Sequence, residues 1–315
     1  MIRQGKNESS CLGCFKNRER EAVLRRIVPV KYSSFLIILL VGPSVALGQA
    51  DPQSRAMNEP LSPFRIAGNL YYVGAKDVTS FLITTPQGHI LLDGGFAQTA
   101  PQIEKNIAQL GFKLTDLKIL LNSHAHLDHA GGLAELKRKS GARFIANAGD
   151  TELLKNGGHG DFRFADTLLF PPIQSDKIAR DGESIRLGDQ VMTAHSTPGH
   201  TKGNTTWTTE IQAGEKFYNV VFVGSQSALD YKFVGQESYP GIRADFEKSF
   251  VVLKSLPCDI FLGSHGSFFH LLEKRDRLLH GETNAFVDPD GYLRYLAESE
   301  RDFREKVAKQ ETQSQ

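Results

Sequence analysis

The segment His124-Ala-His126-Leu-Asp128-His129 places three imidazoles and one carboxylate within six residues. Burying so many polar side chains is costly unless each has a hydrogen-bond partner or a metal ion. On an extended segment His124 and His126 point the same way and can hold one ion. Asp128 and His129 reach a second ion after the chain bends. The spacing therefore predicts a metal site.

Two later histidines lie in settings that fit the same site. His200 lies in a turn between Gly199 and Thr201, and His265 follows an apolar run. Together the imidazoles and the carboxylate suit Zn²⁺ with open positions for water. Two ions about 3.5–4 Å apart can share a hydroxide of pKa about 7, which attacks a carbonyl at neutral pH. These residues predict a hydrolase with two Zn²⁺ ions per chain.

Short β-branched or aromatic runs bounded by Gly or Pro predict the strands that must position this site. The runs cover residues 70–73, 78–84, 89–93, 117–121, 144–147, 185–187, 190–195, 204–209, 218–223 and 260–262. Helical spacing predicts helices at 99–111, 133–139, 244–255 and 268–279, and irregular stretches lie at 51–63 and 156–172. Strand groups and helices alternate twice, which predicts an α/β fold, a four-layer αβ/βα sandwich with the helices outside.

Charge is distributed unevenly along the chain. Residues 1–32 carry eight Lys/Arg and three Glu, which leaves 29 basic and 33 acidic residues, a net charge of −4, in the rest. A nucleic-acid partner is not expected, because such binding needs a basic surface.

The basic stretch at 1–32 leads into the apolar run 35–41, a pattern that predicts a secretory signal peptide within a leader at 1–50 and export to the periplasm or medium. The run is shorter than the ~20 residues of a membrane span, so no stable anchor is expected; a permanent anchor is the alternative.

The HxHxDH motif, the Gly-His-Thr turn and the last histidine after a strand resemble the metallo-β-lactamase superfamily, from about Phe64 to about Tyr292. That superfamily includes glyoxalase II, lactonases, nucleases and sulfatases, so the motif implies only the fold and a hydrolase. In glyoxalase II and the lactonases a bridging Asp follows the strand that matches 218–223, where this chain has Gly224-Ser-Gln-Ser227. The ligand set and the flanking segments are similar to the third subclass of true metallo-β-lactamases.

The resemblance implies a role for each matching residue and a catalytic domain spanning 51–315. The first zinc would be held by three histidines and the second by an Asp-His-His set: His124, His126 and His200, then Asp128, His129 and His265. Asp128 would also orient the attacking hydroxide and is the expected catalytic residue. The implied substrate is a small-molecule β-lactam, whose amide bond would be opened, with antibiotic resistance as the result.

Three further residues match positions with supporting roles. Ser225 and Ser227 match serines that hydrogen-bond the substrate carboxylate; the alternative is that these hydroxyls bond to backbone. Asp93 matches a carboxylate that does not bind the metal itself but orients a ligand histidine; the alternative is an ordinary turn residue before Gly-Gly. The subclass often has a disulfide at the position of Cys258, but no later cysteine exists in this chain.

Two questions stay open from the sequence. Phe162 and Phe164 lie in the loop 156–172, where aromatic rings either close over the substrate or pack inward. Ser123 and Ser264 adjoin metal ligands and are interpreted as small neighbours, not nucleophiles. The competing functions are a lactonase or thioesterase on the same fold and a non-catalytic metal-binding scaffold.

Overall fold

Two mixed β-sheets form the centre of the molecule in the computed structural model, which describes residues 52–314. The predicted leader and signal peptide at 1–50 lie outside the described residues. Among the helices within 52–314, none is both long enough and apolar enough to cross a membrane.

The first sheet has seven strands arranged in chain order. They are β1 (Phe64–Ala67), β2 (Leu70–Tyr72), β3 (Phe81–Thr85), β4 (Gly88–Leu92), β5 (Leu117–Leu121), β6 (Arg143–Asn147) and β7 (Lys177–Ala179). Neighbours from β1 to β4 are antiparallel, and those from β4 to β7 are parallel. Because parallel neighbours share a direction, the chain leaves β4 and β5 at the same edge of the sheet.

The second sheet has five strands, β8 (Ser184–Leu187), β9 (Gln190–Ser196), β10 (Thr205–Ala213), β11 (Lys216–Val223) and β12 (Ile260–Gly263). Their spatial order is β12-β11-β10-β9-β8, and only the pairing of β11 with β12 is parallel. Eight α-helices accompany the sheets in the described part of the chain: α1 (Pro52–Met57), α2 (Ala100–Gln109), α3 (Leu127–Ala130), α4 (Leu133–Ser140), α5 (Thr151–Lys155), α6 (Ile242–Ser255), α7 (Leu271–Leu279) and α8 (Pro289–Gln313).

Three hydrophobic clusters hold these layers together. The largest lies between the sheets and includes Phe81 of β3 and Trp207 of β10. A second joins the first sheet to α2 and α4, and a third lies beneath α6 and α8. Trp207 is fully buried, and its Nε1 donates to the backbone oxygen of Asn122 at 3.0 Å. This bond fastens the start of the His-rich segment to the second sheet.

The predicted fold class is confirmed, and every predicted strand is present, β5 with the predicted ends and the others with shifted ends. The prediction of an irregular arm at 51–63 is wrong in part, because α1 lies within it; proline fits the first turn of a helix, where its missing N–H has no intrahelical partner. The helix predicted from 268 begins only at Leu271, because a 3₁₀ turn precedes it and His270 has a left-handed backbone with φ of 55°.

Besides α1, five of the described elements were not predicted from the sequence: strands β1 and β7 and helices α3, α5 and α8. Strands β1 and β7 are too short to establish an alternating pattern. Helix α8 has 25 residues, but its buried side chains are widely spaced among charged ones: Tyr292, Leu296, Phe303 and Val307. Such a sparse apolar stripe is a weak helical signal, and packing against α6 supplies the rest of its stability.

Candidate metal centre

The His-rich segment leaves β5 and turns at once into the short helix α3. His124 and His126 precede that helix, whereas Asp128 and His129 lie in it. The turn is tight because the chain passes close to the loop after β4: a Cβ added at Gly132 would lie 2.2 Å from the backbone oxygen of Gly94. Only glycine permits that approach.

His200 and His265 reach the same place from the second sheet. His200 lies in the loop after β9, and His265 lies two residues after the end of β12. The ring centroid of His200 is 4.8 Å from those of both His124 and His126, and the last two are 5.0 Å apart. One potential ligand atom from each of these three residues lies within 4.8 Å of the others. The predicted first ligand set is thus brought together.

Asp128 lies at the centre of the second group. Its Oδ2 is 3.2 Å from Nε2 of His129 and 3.4 Å from Nε2 of His265. The predicted second set is therefore also in mutual contact. His124 adjoins this group, because its ligand atom lies within 4.8 Å of those of Asp128 and His129, and its ring centroid is 4.2 Å from that of His129. The two groups are neighbours on one surface.

Electrostatics favour neutral imidazoles at His124 and His200 and an ionised carboxylate at Asp128, whereas burial of His265 is outweighed by the carboxylates of Asp77 and Asp128, which raise its pKa. Burial lowers the pKa of His124 well below its usual value and that of His200 to about 3, and repulsion among the neighbouring histidines adds to the effect. Burial raises the pKa of Asp128, but the imidazoles of His129 and His265 outweigh it and lower the pKa below its usual range. Lone pairs and negative charge are what a divalent cation needs.

Unpartnered polar atoms test whether the cluster fits a metal ion. Among the described residues, neither buried ring nitrogen of His129 makes a hydrogen bond, although Nε2 lies 3.2 Å from Oδ2 of Asp128. Such atoms are rare in native proteins and call for a specific partner. Five imidazoles and one carboxylate form a donor set suited to zinc, so the residues present fit the ion that the sequence predicted.

The outer nitrogens of three ligand histidines show what orients the rings. His200 donates from Nδ1 to the backbone oxygen of Ser227 at 2.9 Å, and Nδ1 of His124 lies 3.1 Å from Oγ of Ser123. Ser123 thus contacts a ligand ring, which the sequence did not indicate. Oδ2 of Asp93 lies 3.7 Å from Nδ1 of His129, where the sequence placed an orienting carboxylate.

Asp93 is itself held rigidly. Its Oδ1 accepts from the backbone N–H of Ser123 at 2.7 Å and from Nδ2 of Asn122 at 3.0 Å. Its backbone φ of 63° lies in the left-handed region, which costs free energy outside glycine and is commonly found at functional sites.

Sequence reasoning missed three buried or half-buried aspartates around the cluster. Asp77 contacts His265 and Asp161 faces His126. Asp150 accepts from Ala125 N, from Thr201 Oγ1 and from the backbone N–H of Gly203, so it joins the His-rich segment to the His200 loop. Each is a single aspartate outside the motif, Asp150 at the end of a 3₁₀ turn and the other two in loops, and no local spacing signals its contact.

The two predicted substrate serines differ in environment. Ser225 is buried and its Oγ accepts from the backbone N–H of Ser227 at 3.2 Å, which is the backbone-bonded arrangement left open by the sequence. Ser227 is half-buried and lines a cavity of about 460 Å³, whose other walls include Phe268 and Tyr295 and none of the clustered histidines. Asn204 braces this turn through bonds to both the N–H and the carbonyl of Ser225.

The two aromatic residues of the loop 156–172 also differ. Phe162 packs inward against Tyr231 and Tyr239, with ring centroids 5.3 and 4.8 Å apart. Phe164 faces the cluster, and its centroid is 5.2 Å from that of His126. Phe162 therefore takes the inward-packed alternative, and Phe164 lies beside a ligand histidine, where closure over a substrate stays a prediction.

Comparisons with known proteins agree with this geometry. The model of the metallo-beta-lactamase superfamily matches residues 73–265, more than half of the chain. The native FEZ-1 metallo-β-lactamase from Legionella gormanii is 44% identical with a TM-score of 0.79, covering 81% of this chain and 99% of that one. The class B3 di-zinc metallo-β-lactamase LRA-12 from an Alaskan soil metagenome is 36% identical with a TM-score of 0.77, covering 82% and 98%. The chain therefore belongs to the metallo-β-lactamase superfamily, and its solved relatives place it with subclass B3.

Curated relatives match over a smaller part. The hydroxyacylglutathione hydrolase of Methylobacterium sp. (strain 4-46) is 30% identical over 103 residues, which make up 32% of this chain and 31% of that protein. The chain thus spans about a third of the length of the curated relatives that it first matches.

Proposed function

We propose that this protein hydrolyses the amide bond of β-lactams and so confers resistance to these antibiotics. The observation that carries the proposal is the turn after β11, Gly224 to Ser227, which brings no carboxylate to the metal cluster. The second ligand group is formed by Asp128, His129 and His265 instead. Solved relatives of subclass B3, similar over nearly their whole length, support the same conclusion.

The six clustered residues would hold two zinc ions. His124, His126 and His200 would bind the first, and Asp128 with the two remaining histidines the second. When bound, zinc supplies Lewis acidity and a nucleophile derived from water at neutral pH. The description of LRA-12 as a di-zinc enzyme supports two ions per chain.

The chain's own residues would place and shield the substrate. The ionised Asp128 carboxylate would accept a hydrogen bond from the attacking water and orient it. The half-buried Ser227 hydroxyl would donate to the substrate carboxylate, and the ring of Phe164, beside His126, would exclude water from the reacting amide.

A lactonase or thioesterase remains the competing function, since part of the chain also matches a hydroxyacylglutathione hydrolase. The experiment is hydrolysis of a penicillin, a cephalosporin, a carbapenem, a lactone and a thioester by the purified protein. We expect fast turnover of at least one β-lactam, abolished by a chelator and restored by zinc. Zinc-loaded protein that ignores all three drugs but cleaves the lactone or thioester would contradict the proposal.

We also propose export to the periplasm or the medium. The support is the basic stretch followed by the apolar run 35–41, and the small residues after it. Cell fractionation of an expressing bacterium tests this, and a full-length protein found only in the cytoplasm would contradict it.

A further inference from the structure

Asp77 contacts the outer nitrogen of His265, although 188 residues separate them in the chain. Oδ2 of Asp77 lies 3.1 Å from Nδ1 of His265, and the other oxygen, Oδ1, accepts from the backbone N–H of Ser267 at 2.7 Å. With Nδ1 engaged, the ring presents Nε2 to Asp128. The carboxylate thus fixes both the orientation of this ring and the nitrogen that carries its proton.

Asp161 has the same relation to His126, which belongs to the other ligand group. Its Oδ2 is 3.6 Å from Nε2 of His126. Both atoms are buried, and neither makes a hydrogen bond to any other of the residues described. The second oxygen, Oδ1, accepts from the backbone N–H groups of Arg163 and Phe164, both at 2.7 Å.

Each carboxylate therefore divides its two oxygens between a ligand imidazole and the backbone. An asparagine cannot replace either one, because it has a single acceptor oxygen and its NH₂ group would face an N–H donor on one side. The asparagine would lose its contact either with the imidazole or with the backbone N–H of the loop. In both cases the ring would no longer be held. Only a carboxylate at the reach of an aspartate satisfies both sides at Asp77 and at Asp161.

We propose that Asp77 and Asp161 are positioning residues, one for each metal: Asp77 orients His265 for the second ion and Asp161 orients His126 for the first. The proposal rests on the proposed zinc site and extends it to two residues that no motif marks. It assigns each ion a separate carboxylate outside its ligand set.

The two carboxylates connect the ions to different parts of the molecule. The backbone N–H of Asp77 donates to the carbonyl of Met57, so the second site is attached to the N-terminal arm. Asp161 belongs to the loop that carries Phe164. That loop is anchored by the ion pair of Arg163 with Asp230, at 2.7 Å for its Nη2–Oδ2 contact. The first site is therefore connected to the loop that carries Phe164.

The test measures zinc binding by chelator competition, together with the visible spectrum of the Co²⁺-loaded protein. We expect Asp77→Asn to weaken the binding of one of the two ions about 10- to 100-fold and Asp161→Asn to weaken the binding of the other. Each variant should change the Co²⁺ spectrum in a different way. The control is Asp276→Asn, because Asp276 contacts the exposed, non-ligand His280 in the same kind of pair. This control should change neither affinity.

Double variants identify which ion each residue serves. Asp77→Asn should not lower the zinc affinity further in a His265→Ala background, but it should have its full effect in a His126→Ala background. Asp161→Asn should have its full effect in the His265→Ala background and no further effect in the His126→Ala background. If an Asn variant does not fold without metal, the Glu variant at the same position displaces the oxygen by one methylene and should show the same selective loss. The proposal would be overturned if the single variants left both zinc affinities unchanged. It would also be overturned if a variant lowered the zinc affinity equally in the two histidine-to-alanine backgrounds.

The zinc readout also separates this proposal from the proposed function. If selective zinc loss occurs and the wild-type protein does not hydrolyse β-lactams, the positioning roles stand and the substrate assignment fails. If β-lactams are hydrolysed and zinc affinities do not change, the positioning roles fail alone.

Discussion

The histidines of this protein differ in what their outer nitrogens contact. The outer nitrogens of the clustered histidines face Ser123, Asp93, Asp161, Asp77 or a backbone carbonyl. His89 is a different case, because it is buried and neither of its ring nitrogens has a hydrogen-bond partner among the described residues. It packs edge-on against Phe112, with ring centroids 4.9 Å apart. Its burial therefore penalises the charged form.

We predict that His89 makes the protein less stable in mild acid. Burial lowers the pKa of His89, although the backbone of Gly88 and the charge of Asp116 act in the opposite direction. The unfolded chain takes up a proton near pH 6.5 and the folded chain only at lower pH. The unfolded state thus binds more protons as pH falls below about 6.5, and the free energy of unfolding falls in that window.

Urea denaturation of metal-free protein at pH 7.5 and 5.5 checks this. His89→Phe should reduce the loss of stability between the two pH values, whereas His280→Phe, at an exposed histidine, should leave it as in the wild type. An identical pH dependence in all three proteins would contradict the prediction.

At the scale of elements, helix α8 supports the metal cluster from a distance. Phe303 of α8 stacks on Phe246 of α6, with centroids 5.1 Å apart and planes within 13°. Phe246 also packs against Tyr231, whose hydroxyl donates to the backbone oxygen of His200 at 2.8 Å. A chain of aromatic contacts thus runs from α8 to a predicted zinc ligand.

Replacing Phe303 with alanine should therefore lower the free energy of unfolding by about 3–5 kcal/mol, because a buried aromatic ring is lost from a packed cluster. The urea midpoint measures this. Leu293→Ala is the matched control, since Leu293 lies on the same helix with 59% of its surface exposed, and it should shift the midpoint little. Equal shifts for the two variants would show that α8 does not pack as described.

At the scale of the whole molecule, the metal cluster joins the two sheets. His124, His126 and His129 come from the end of a strand in the first sheet, whereas His200 and His265 come from ends of strands in the second. Ions bound there would connect both halves of the sandwich, and neither half holds a complete ligand set for both ions. Metal binding should therefore stabilise the entire fold.

Removing the metal should lower the melting temperature of the protein. A ligand at about 100 times its Kd adds ~2.7 kcal/mol to the native state, which for a domain of this size corresponds to a shift on the order of 5–10 °C. Thermal melts of chelator-treated protein, with zinc or with magnesium added back, measure it. Zinc should restore the melting temperature and magnesium should not, because the donor set is rich in imidazole; equal melting temperatures with and without zinc would be evidence against a metal at this interface.

The sequence by itself determined the fold class and the residues of the metal cluster. The HxHxDH segment is local, so its geometry follows from six adjacent residues and the strand before them. His200, His265 and Asp93 were found because each follows a strand in a matching motif. These features lie within short stretches of the chain, and residue periodicity and spacing reveal the structure of short stretches.

Only the tertiary structure decided the rest. Asp77, Asp150 and Asp161 contact the ligand segments across loops that are distant in sequence, and a single aspartate outside the motif has no spacing to signal its partner. Helix α8 depends on packing with α6, which outweighs its weak apolar pattern. Contacts between distant segments form only when both sheets have folded together, so no local pattern encodes which carboxylate will meet which histidine.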